Sequence, residues 1–234
     1  MNSFDIGTII LSSDYKVIGI NSYAKKILNI DQSSLGKSVF SYHSQKSQSK
    51  IKSLIEKVQN RRPDLPTTMI VDVLNKVLMI DFCKIHMIDK KHSHIFSMNF
   101  IDVSRPTEAH INPKNGIVNI RKFPIFYKEK IIFLNASSIY YIQSDGNYCK
   151  IVTDNHSYYL HLTLKEILRR YSGTELMRVH KSFIVNLLHI KEIRPIGGTK
   201  NIIIFDREMI KSVPVAKRKT NELKSLVTSN KIFY

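Results

Sequence analysis

The second half of the chain consists of short apolar runs rich in β-branched and aromatic residues, and this pattern limits the possible folds more than any other feature. Short runs of this kind, bounded by turn residues, are typical of β-strands. The turns are signalled by Asp145-Gly146-Asn147, Asp154-Asn155 and Gly197-Gly198. The predicted strands are Phe123 to Tyr127, Ile131 to Leu134, Ile139 to Gln143, Tyr148 to Thr153, Ser157 to Leu162, Ser182 to Leu187, Glu192 to Ile196 and Asn201 to Phe205.

Two stretches of this half have helical character, Thr163 to Tyr171 and Lys217 to Val227. Thr163 is a suitable N-cap for the first, and Glu166 stands three residues later, as a capping box requires. We therefore expect a mostly β domain with two helices.

The first half has another order: two strands, helices, then three strands. We expect a first turn at Ser12-Ser13-Asp14, a helix cap at Asn21 and a later turn at Asn75-Lys76. The predicted elements are the strands Thr8 to Leu11 and Lys16 to Ile20, helices Ser22 to Leu28 and about Ser47 to Val58, and strands Thr68 to Leu74, Val77 to Met87 and His94 to Val103.

A segment with two prolines, two asparagines and a glycine separates the halves and lacks apolar periodicity, so it is interpreted as a linker. The predicted domains are residues 1–104, a linker at 105–122 and residues 123–234. The fold class is α+β, with an antiparallel sheet and helices first and a mostly β domain second.

The net charge of +17 points to a polyanionic partner, nucleic acid or anionic lipid. The excess is concentrated after Gly116, where 20 basic residues stand against 9 acidic ones.

Early charges at Asp5, Asp14 and Lys16 and the lack of a long apolar run favour a cytoplasmic chain without a membrane span. Cys83 and Cys149 have no CxxC spacing and are interpreted as reduced packing residues. No catalytic motif is present, so an enzyme is not expected.

Four motifs follow one another in the second half: Ile139-Tyr140-Tyr141-Ile142-Gln143-Ser144-Asp145-Gly146-Asn147-Tyr148, Leu162-Thr163-Leu164, Arg178-Val179-His180-Lys181-Ser182-Phe183-Ile184-Val185-Asn186 and Val213-Pro214-Val215-Ala216-Lys217-Arg218. Together they resemble the LytTR family of DNA-binding domains, over about a hundred residues.

The LytTR resemblance implies a transcription regulator that places three loops against double-stranded DNA. The residues implied are Asn147 and Tyr148, His180 and Lys181, and Lys217 and Arg218. An asparagine amide can pair with a base edge, and a lysine can donate to guanine or phosphate. Arg178 and Lys219 would add phosphate contacts, whereas Asn186 is expected to serve turn geometry. Where the family often has Ser-Arg, this chain has Ala216-Lys217, and lysine lacks arginine's planar fork.

The first half resembles the PAS sensor fold, with Phe100-Ile101-Asp102-Val103-Ser104 as its closing strand. The order of the two domains resembles the RcoM-type carbon-monoxide-sensing regulators. That resemblance is carried by His43-Ser44-Gln45-Lys46-Ser47-Gln48-Ser49-Lys50-Ile51, by Met69 to Ile80 and by Phe123-Pro124-Ile125-Phe126-Tyr127-Lys128.

The RcoM resemblance implies heme b with His43 and Met69 as axial iron ligands, CO as a gas ligand and a homodimer. Imidazole holds iron firmly, and a thioether is a softer ligand that CO could displace. The family's ferric state uses a cysteine between these ligands, and residues 44–68 contain none. The ferric partner could therefore be Met69, another histidine or nothing.

Two alternatives remain at this point. The PAS domain could be a cofactor-free module for dimerisation or metabolite binding. The basic surface could instead bind membranes or polyanions without sequence preference.

Overall fold

The computed structural model describes residues 5–45, 48, 51–52, 69–86, 94–128, 130–198 and 200–228. The chain divides into two compact units, Met1–Arg105 and Pro106–Tyr234. Within the described residues, no helix is both long and apolar enough to cross a bilayer.

The first unit contains an antiparallel five-stranded sheet. Its strands are β1 (Ile6–Leu11), β2 (Val17–Ile20), β3 (Met69–Val73), β4 (Lys76–His86) and β5 (His94–Asp102), in the order β2-β1-β5-β4-β3. Helix α1 (Ser22–Leu28) begins where the Asn21 side chain accepts a hydrogen bond from Ala24 N, as the sequence predicts. Two 3₁₀ turns follow, Gln32–Ser34 and Val39–Tyr42.

Aromatic rings fill the interior of this unit. Phe96 is fully buried and stacks on Phe82 and Tyr15, with ring centroids 5.2 and 5.3 Å away. Tyr15 in turn meets Phe40 edge-on at 5.6 Å. This aromatic row, Phe82-Phe96-Tyr15-Phe40, links the central strands to the 3₁₀ turn Val39–Tyr42.

The structure corrects one predicted turn of the first unit and describes one predicted helix only in part. The turn between β3 and β4 is Leu74-Asn75 rather than Asn75-Lys76, because both residues adopt positive φ, 49° and 64°, and Val73 pairs with Lys76. Of the helix expected at Ser47 to Val58, Gln48, Ile51 and Lys52 are helical, and the rest lies outside the described residues.

The second unit is mostly β, as predicted. A five-stranded antiparallel sheet has the order β12-β11-β10-β14-β13, a three-stranded sheet the order β15-β16-β17, and β6-β7 and β8-β9 form two-stranded ribbons. The strands are β6 (His110–Ile111), β7 (Val118–Asn119), β8 (Lys122–Tyr127), β9 (Lys130–Asn135), β10 (Ile139–Asp145), β11 (Tyr148–Thr153), β12 (Ser157–Leu160), β13 (Leu176–His180), β14 (Phe183–Asn186), β15 (Ile190–Pro195), β16 (Asn201–Phe205) and β17 (Val213–Val215).

Helices α2 (Leu164–Arg170) and α3 (Lys217–Thr228) lie in the two predicted stretches. The capping box of α2 is present: Thr163 Oγ1 accepts from Glu166 N at 3.2 Å, and Glu166 Oε2 accepts from Thr163 N at 2.9 Å. Helix α3 packs through Leu223, which is fully buried in a core shared by the two larger sheets. Burial raises the pKa of the Cys149 thiol to about 12, which fits its predicted packing role.

Most of the segment interpreted as a linker, 105–122, is an ordered part of the second unit. Thr107 is fully buried, and its carbonyl accepts from Arg121 N and Lys122 N. Asn119 Nδ2 donates to the carbonyls of Arg169 and Arg170 at 3.0 and 3.1 Å. Apolar periodicity could not predict this packing, because polar side chains and backbone groups provide much of it. The segment still connects the two units in the chain. The domain limits 1–104, 105–122 and 123–234 stay predictions.

A polar cluster closes the end of β5. Lys76 Nζ donates to Asp102 Oδ2 at 2.8 Å, while Ser104 N and Oγ both donate to Asp102 Oδ1. Val77 N donates to Ser104 Oγ at 2.9 Å. Burial of Asp102 disfavours its charge, but the bonds from Lys76 and Ser104 outweigh that effect and lower its pKa. The cluster therefore ties the start of β4 to the end of β5.

We predict that Asp102→Asn weakens this tie and speeds amide hydrogen exchange in β4 and β5. The side chain is 18% exposed, and removing a hydrogen-bonded charge there should cost about 1 to 3 kcal/mol. A carboxyl with a lowered pKa stabilises the fold at neutral pH, and that contribution is lost as pH falls through the folded-state pKa. The difference between wild type and variant should therefore shrink in acid. Asp14→Asn, which breaks the solvent-exposed Lys16 pair, is the control and should leave exchange in β4 and β5 unchanged.

Candidate DNA interface and haem ligands

A row of paired residues runs across one edge of the five-stranded sheet. Leu160 pairs with Cys149, and Cys149 pairs with Ser144. Ser144 N donates to Ser182 O at 2.9 Å. The row Leu160-Cys149-Ser144-Ser182 therefore brings the ends of β10, β11, β12 and β14 to a common edge of the sheet, which we call the loop edge.

The first predicted DNA segment is a two-residue hairpin turn at this edge. Asp145 pairs with Tyr148, and Gly146 has φ 59°, a conformation that glycine adopts without strain. Asn147 is exposed at the tip. Tyr148 is half-buried and meets the His161 ring edge-on, with centroids 4.9 Å apart. The amide of Asn147 is thus presented to solvent, and Tyr148 supports the turn.

The second predicted segment, His180 and Lys181, forms the turn between β13 and β14. Ser182 N donates to His180 Nδ1 at 3.2 Å, which leaves Nε2 as the ring nitrogen that can carry a proton and donate. Lys181 is exposed. The Ser144 to Ser182 bond places this turn next to the first segment.

The third segment begins α3 beside the second. Ala216 N donates to Val179 O at 2.9 Å, which holds the start of α3 against the end of β13. Lys217 and Arg218 are exposed, and the first turn of α3 contains no acidic residue. Cations at a helix N-terminus oppose the helix dipole. Such a locally unfavourable choice is typical of functional positions.

Two basic residues expected to touch phosphate have partners within the chain. Arg178 Nη2 donates to Lys181 O at 2.8 Å, and Arg178 Nε donates to His180 O at 3.3 Å. Lys219 Nζ forms an ion pair with Glu222 at 2.6 Å. Arg178 thus positions the turn through two of its guanidinium donors. The sequence signal for this role is an arginine in a strand two residues before the His-Lys turn.

Asn186 has the structural role predicted for it. It is fully buried, its Nδ2 donates to Ala136 O at 2.8 Å, and its Oδ1 accepts from Leu188 N at 3.0 Å. It thereby caps the 3₁₀ turn Leu187–His189.

Of the two predicted haem ligands, the structure describes His43 and the backbone of Met69. His43 follows the 3₁₀ turn Val39–Tyr42, and its backbone is held by His43 N donating to Phe40 O and by Gln48 Nε2 donating to His43 O, each at 3.1 Å. The residue is exposed, yet neighbouring atoms desolvate its imidazole and lower its pKa. A neutral, accessible imidazole on a fixed backbone fits the donor that haem iron requires.

The backbone of Met69 opens β3 in register with Ile80, and its side chain lies outside the described residues. The sequence also places three histidines, His86, His92 and His94, around the connection between β4 and β5. His92 lies outside the described residues, so this group is only partly described. Among the described residues, no three His, Cys, Asp or Glu side chains come together as metal ligands.

Comparisons with known proteins agree with both units. Residues 129–228 match the family model of the LytTr DNA-binding domain, and residues 1–92 match a PAS domain model. A solved LytTr DNA-binding domain of a methyl-accepting/DNA response regulator from Bacillus cereus aligns with TM-score 0.41 and 20% identity, covering 46% of this chain and 96% of that one.

Three curated relatives span different parts of the chain. The heme-containing CO-sensing transcriptional regulator RcoM 1 of Paraburkholderia xenovorans is 28% identical, over 97% of this chain and 91% of its own length. The CO-responsive transcriptional regulator RcoM of Rhodospirillum rubrum is 22% identical, over 95% and 94%. The sensory transduction protein LytT of Bacillus subtilis is 31% identical, over 49% and 46%.

The chain therefore joins a PAS domain to a LytTR DNA-binding domain and is a LytTR-type transcription regulator. Along nearly its whole length it is homologous to the RcoM CO-sensing haem regulators.

We predict that Arg178→Met reduces DNA affinity by loosening the β13–β14 turn. Because the guanidinium is bonded to two carbonyls of the turn, its loss should speed hydrogen exchange at Ser182 while leaving the core amides of β14 protected. The salt dependence of DNA binding should stay close to that of the wild type. A decrease in the salt slope of about 0.9, with unchanged exchange, would instead identify Arg178 as a phosphate contact.

Proposed function

We propose that this protein is a one-component regulator in which haem in the PAS domain senses CO and controls sequence-specific DNA binding by the LytTR domain. The observation that carries the DNA-binding part is the convergence of three basic or amide-bearing segments at the loop edge. The haem part rests on homology along both domains and on the neutral, accessible imidazole of His43.

At the DNA, the proposed roles follow from the exposed groups. The amide of Asn147 can read a base edge, and His180 Nε2 and Lys181 can donate to guanine or phosphate. Lys217 and Arg218 would neutralise phosphates at the start of α3. Tyr148 would contact DNA beside Asn147 while its ring stays against His161.

In the PAS domain, His43 would hold the iron of heme b, and Met69 is the proposed second ligand. The bound haem would supply a ferrous iron that binds CO. Within the chain, β3 begins at Met69 and pairs with β4 as far as Lys76, which is bonded to Asp102. The strand that carries the proposed ligand is thus connected to the end of the PAS sheet.

One observation favours a second candidate, a PAS domain without a cofactor. Phe96 and Phe100 are at most 2% exposed, so the described interior of the domain is filled by its own side chains. In that case the PAS domain would mainly form a homodimer. A homodimer is proposed in either case, because two copies could bind two DNA repeats.

The first prediction from this proposal concerns haem. Reconstituted protein should be red, with a sharp Soret band that shifts under CO, because a neutral imidazole supports low-spin iron. His43→Ala should weaken the band. His86→Ala, an exposed PAS histidine, is the control and should keep it. A colourless protein after reconstitution would favour the cofactor-free candidate.

The second prediction concerns DNA. Selection from random duplexes should enrich a repeated motif, and Lys181→Ala or Lys217→Ala should reduce the preference for it. A lysine that contacts a base should contribute about 1 to 3 kcal/mol of discrimination. The control is Lys211→Ala, an exposed lysine at the end of the three-stranded sheet away from Lys217. Strong binding without any enriched motif would show a general polyanion binder.

A further inference from the structure

The connection between β12 and α2, residues 161–163, and the first turn of α2, which contains Lys165, lie at the same loop edge as the first two DNA segments. Leu160 is the last residue of β12 and belongs to the row Leu160-Cys149-Ser144-Ser182. The chain therefore leaves this row at three places: the Asp145 to Tyr148 turn, Lys181 and His161.

His161 joins this connection to the first DNA segment. Its ring meets Tyr148 edge-on at 4.9 Å, and Tyr148 is adjacent to the exposed Asn147. The imidazole therefore lies directly beside the hairpin turn that is proposed to enter the DNA groove.

The connection is rigid. Leu162 N donates to Leu160 O at 2.9 Å, and the capping box of Thr163 and Glu166 fixes the start of α2. Leu162 and Leu164 are each 4% exposed, so the side chains on either side of Thr163 anchor this segment in the core. Thr163 and Lys165 are exposed. An ordered loop that presents a cation can bind with little loss of conformational entropy.

The direction of the Lys165 side chain agrees with this position. Side chains on a helix tilt toward its N-terminus, and α2 starts at the loop edge. The Cα–Cβ bond of Lys165 therefore tilts toward the loop edge, and its long side chain lets the ammonium reach a phosphate there. A mobile ammonium of this kind suits a phosphate oxygen better than a base edge.

We propose that residues 161–165 form a fourth DNA contact, in which Lys165 binds a backbone phosphate flanking the groove that receives the Asp145 to Tyr148 turn. This inference rests on the proposed DNA-binding function. It extends the interface along the sheet edge, on the side of the first segment away from Lys181 and Lys217. His161 supports Tyr148 and is a positioning residue.

The test uses the full chain and a duplex that carries the motif selected by the wild type. Lys165→Ala should weaken binding and lower the slope of log affinity against log salt by about 0.9, the value for one phosphate. Between 50 and 200 mM salt, the variant should consequently lose about 3.5-fold less affinity than the wild type. Its sequence preference should not change, because a phosphate contact does not read bases. Alanine is a strong helix former, so α2 should persist.

Lys211→Ala is the matched control and should behave as the wild type. Phosphate ethylation interference adds a positional readout: one phosphate beside the motif should lose its effect in Lys165→Ala. A Lys165→Ala protein with wild-type affinity, slope and interference pattern would overturn the fourth contact while leaving the regulator intact. A wild type without sequence preference would refute the proposed function, and the slope difference would still decide whether Lys165 touches phosphate.

Discussion

The functional end of this protein depends on a short line of backbone pairing, Leu160-Cys149-Ser144-Ser182. Each pairing aligns two chain segments to within a residue, because a shift of one position would turn every side chain to the opposite face of the sheet. The buried members of these strands, such as Ile142, Ile151 and Ile184, make such a shift unfavourable. Apolar packing inside the sheet therefore fixes the positions of the polar groups at its edge. The hydrogen bond from Ala216 N to Val179 O likewise fixes the position of the start of α3.

Polar bonds hold the turn between β13 and β14 in place. Arg178 holds the carbonyls of His180 and Lys181, and Ser182 holds the His180 ring. The polar groups that could compete with DNA are thus paired within the protein, while Asn147, Lys181, Lys217 and Arg218 are exposed. A preorganised edge of this kind loses little entropy when it binds. The stability of the loop edge comes from the buried core, whereas its charge comes from exposed residues outside that core.

Sequence patterns predicted most elements because local chemistry determines them. The Thr163 capping box, the Gly197-Gly198 turn and the β-branched strands each depend on residues close in the chain. The failures concern contacts between distant residues. Strand β13 is bounded by no clear turn signal and is defined by its pairing with β14. The bonds of Arg178 are local but were not predicted either, because a guanidinium in a basic stretch has no sequence mark that distinguishes a solvent-facing group from one bonded to its own turn. Its contact with phosphate stays a prediction. The loop-edge position of His161 and Lys165 could not be predicted either, since it follows from the register of β11 and β12.

The bonds on either side of the junction between the units were also not predicted from the sequence. From its lack of apolar periodicity, 105–122 is predicted to be a linker. Ser104, however, is bonded to Asp102 and Val77, and Thr107 is buried and bonded to Arg121 and Lys122. Only Arg105 and Pro106 lie between these anchored residues, and proline restricts its own φ. Lys76 bonds the end of β5 to the β3–β4 hairpin, which begins at Met69, so one polar cluster within the PAS domain holds both the strand of the proposed second haem ligand and the end of the PAS sheet.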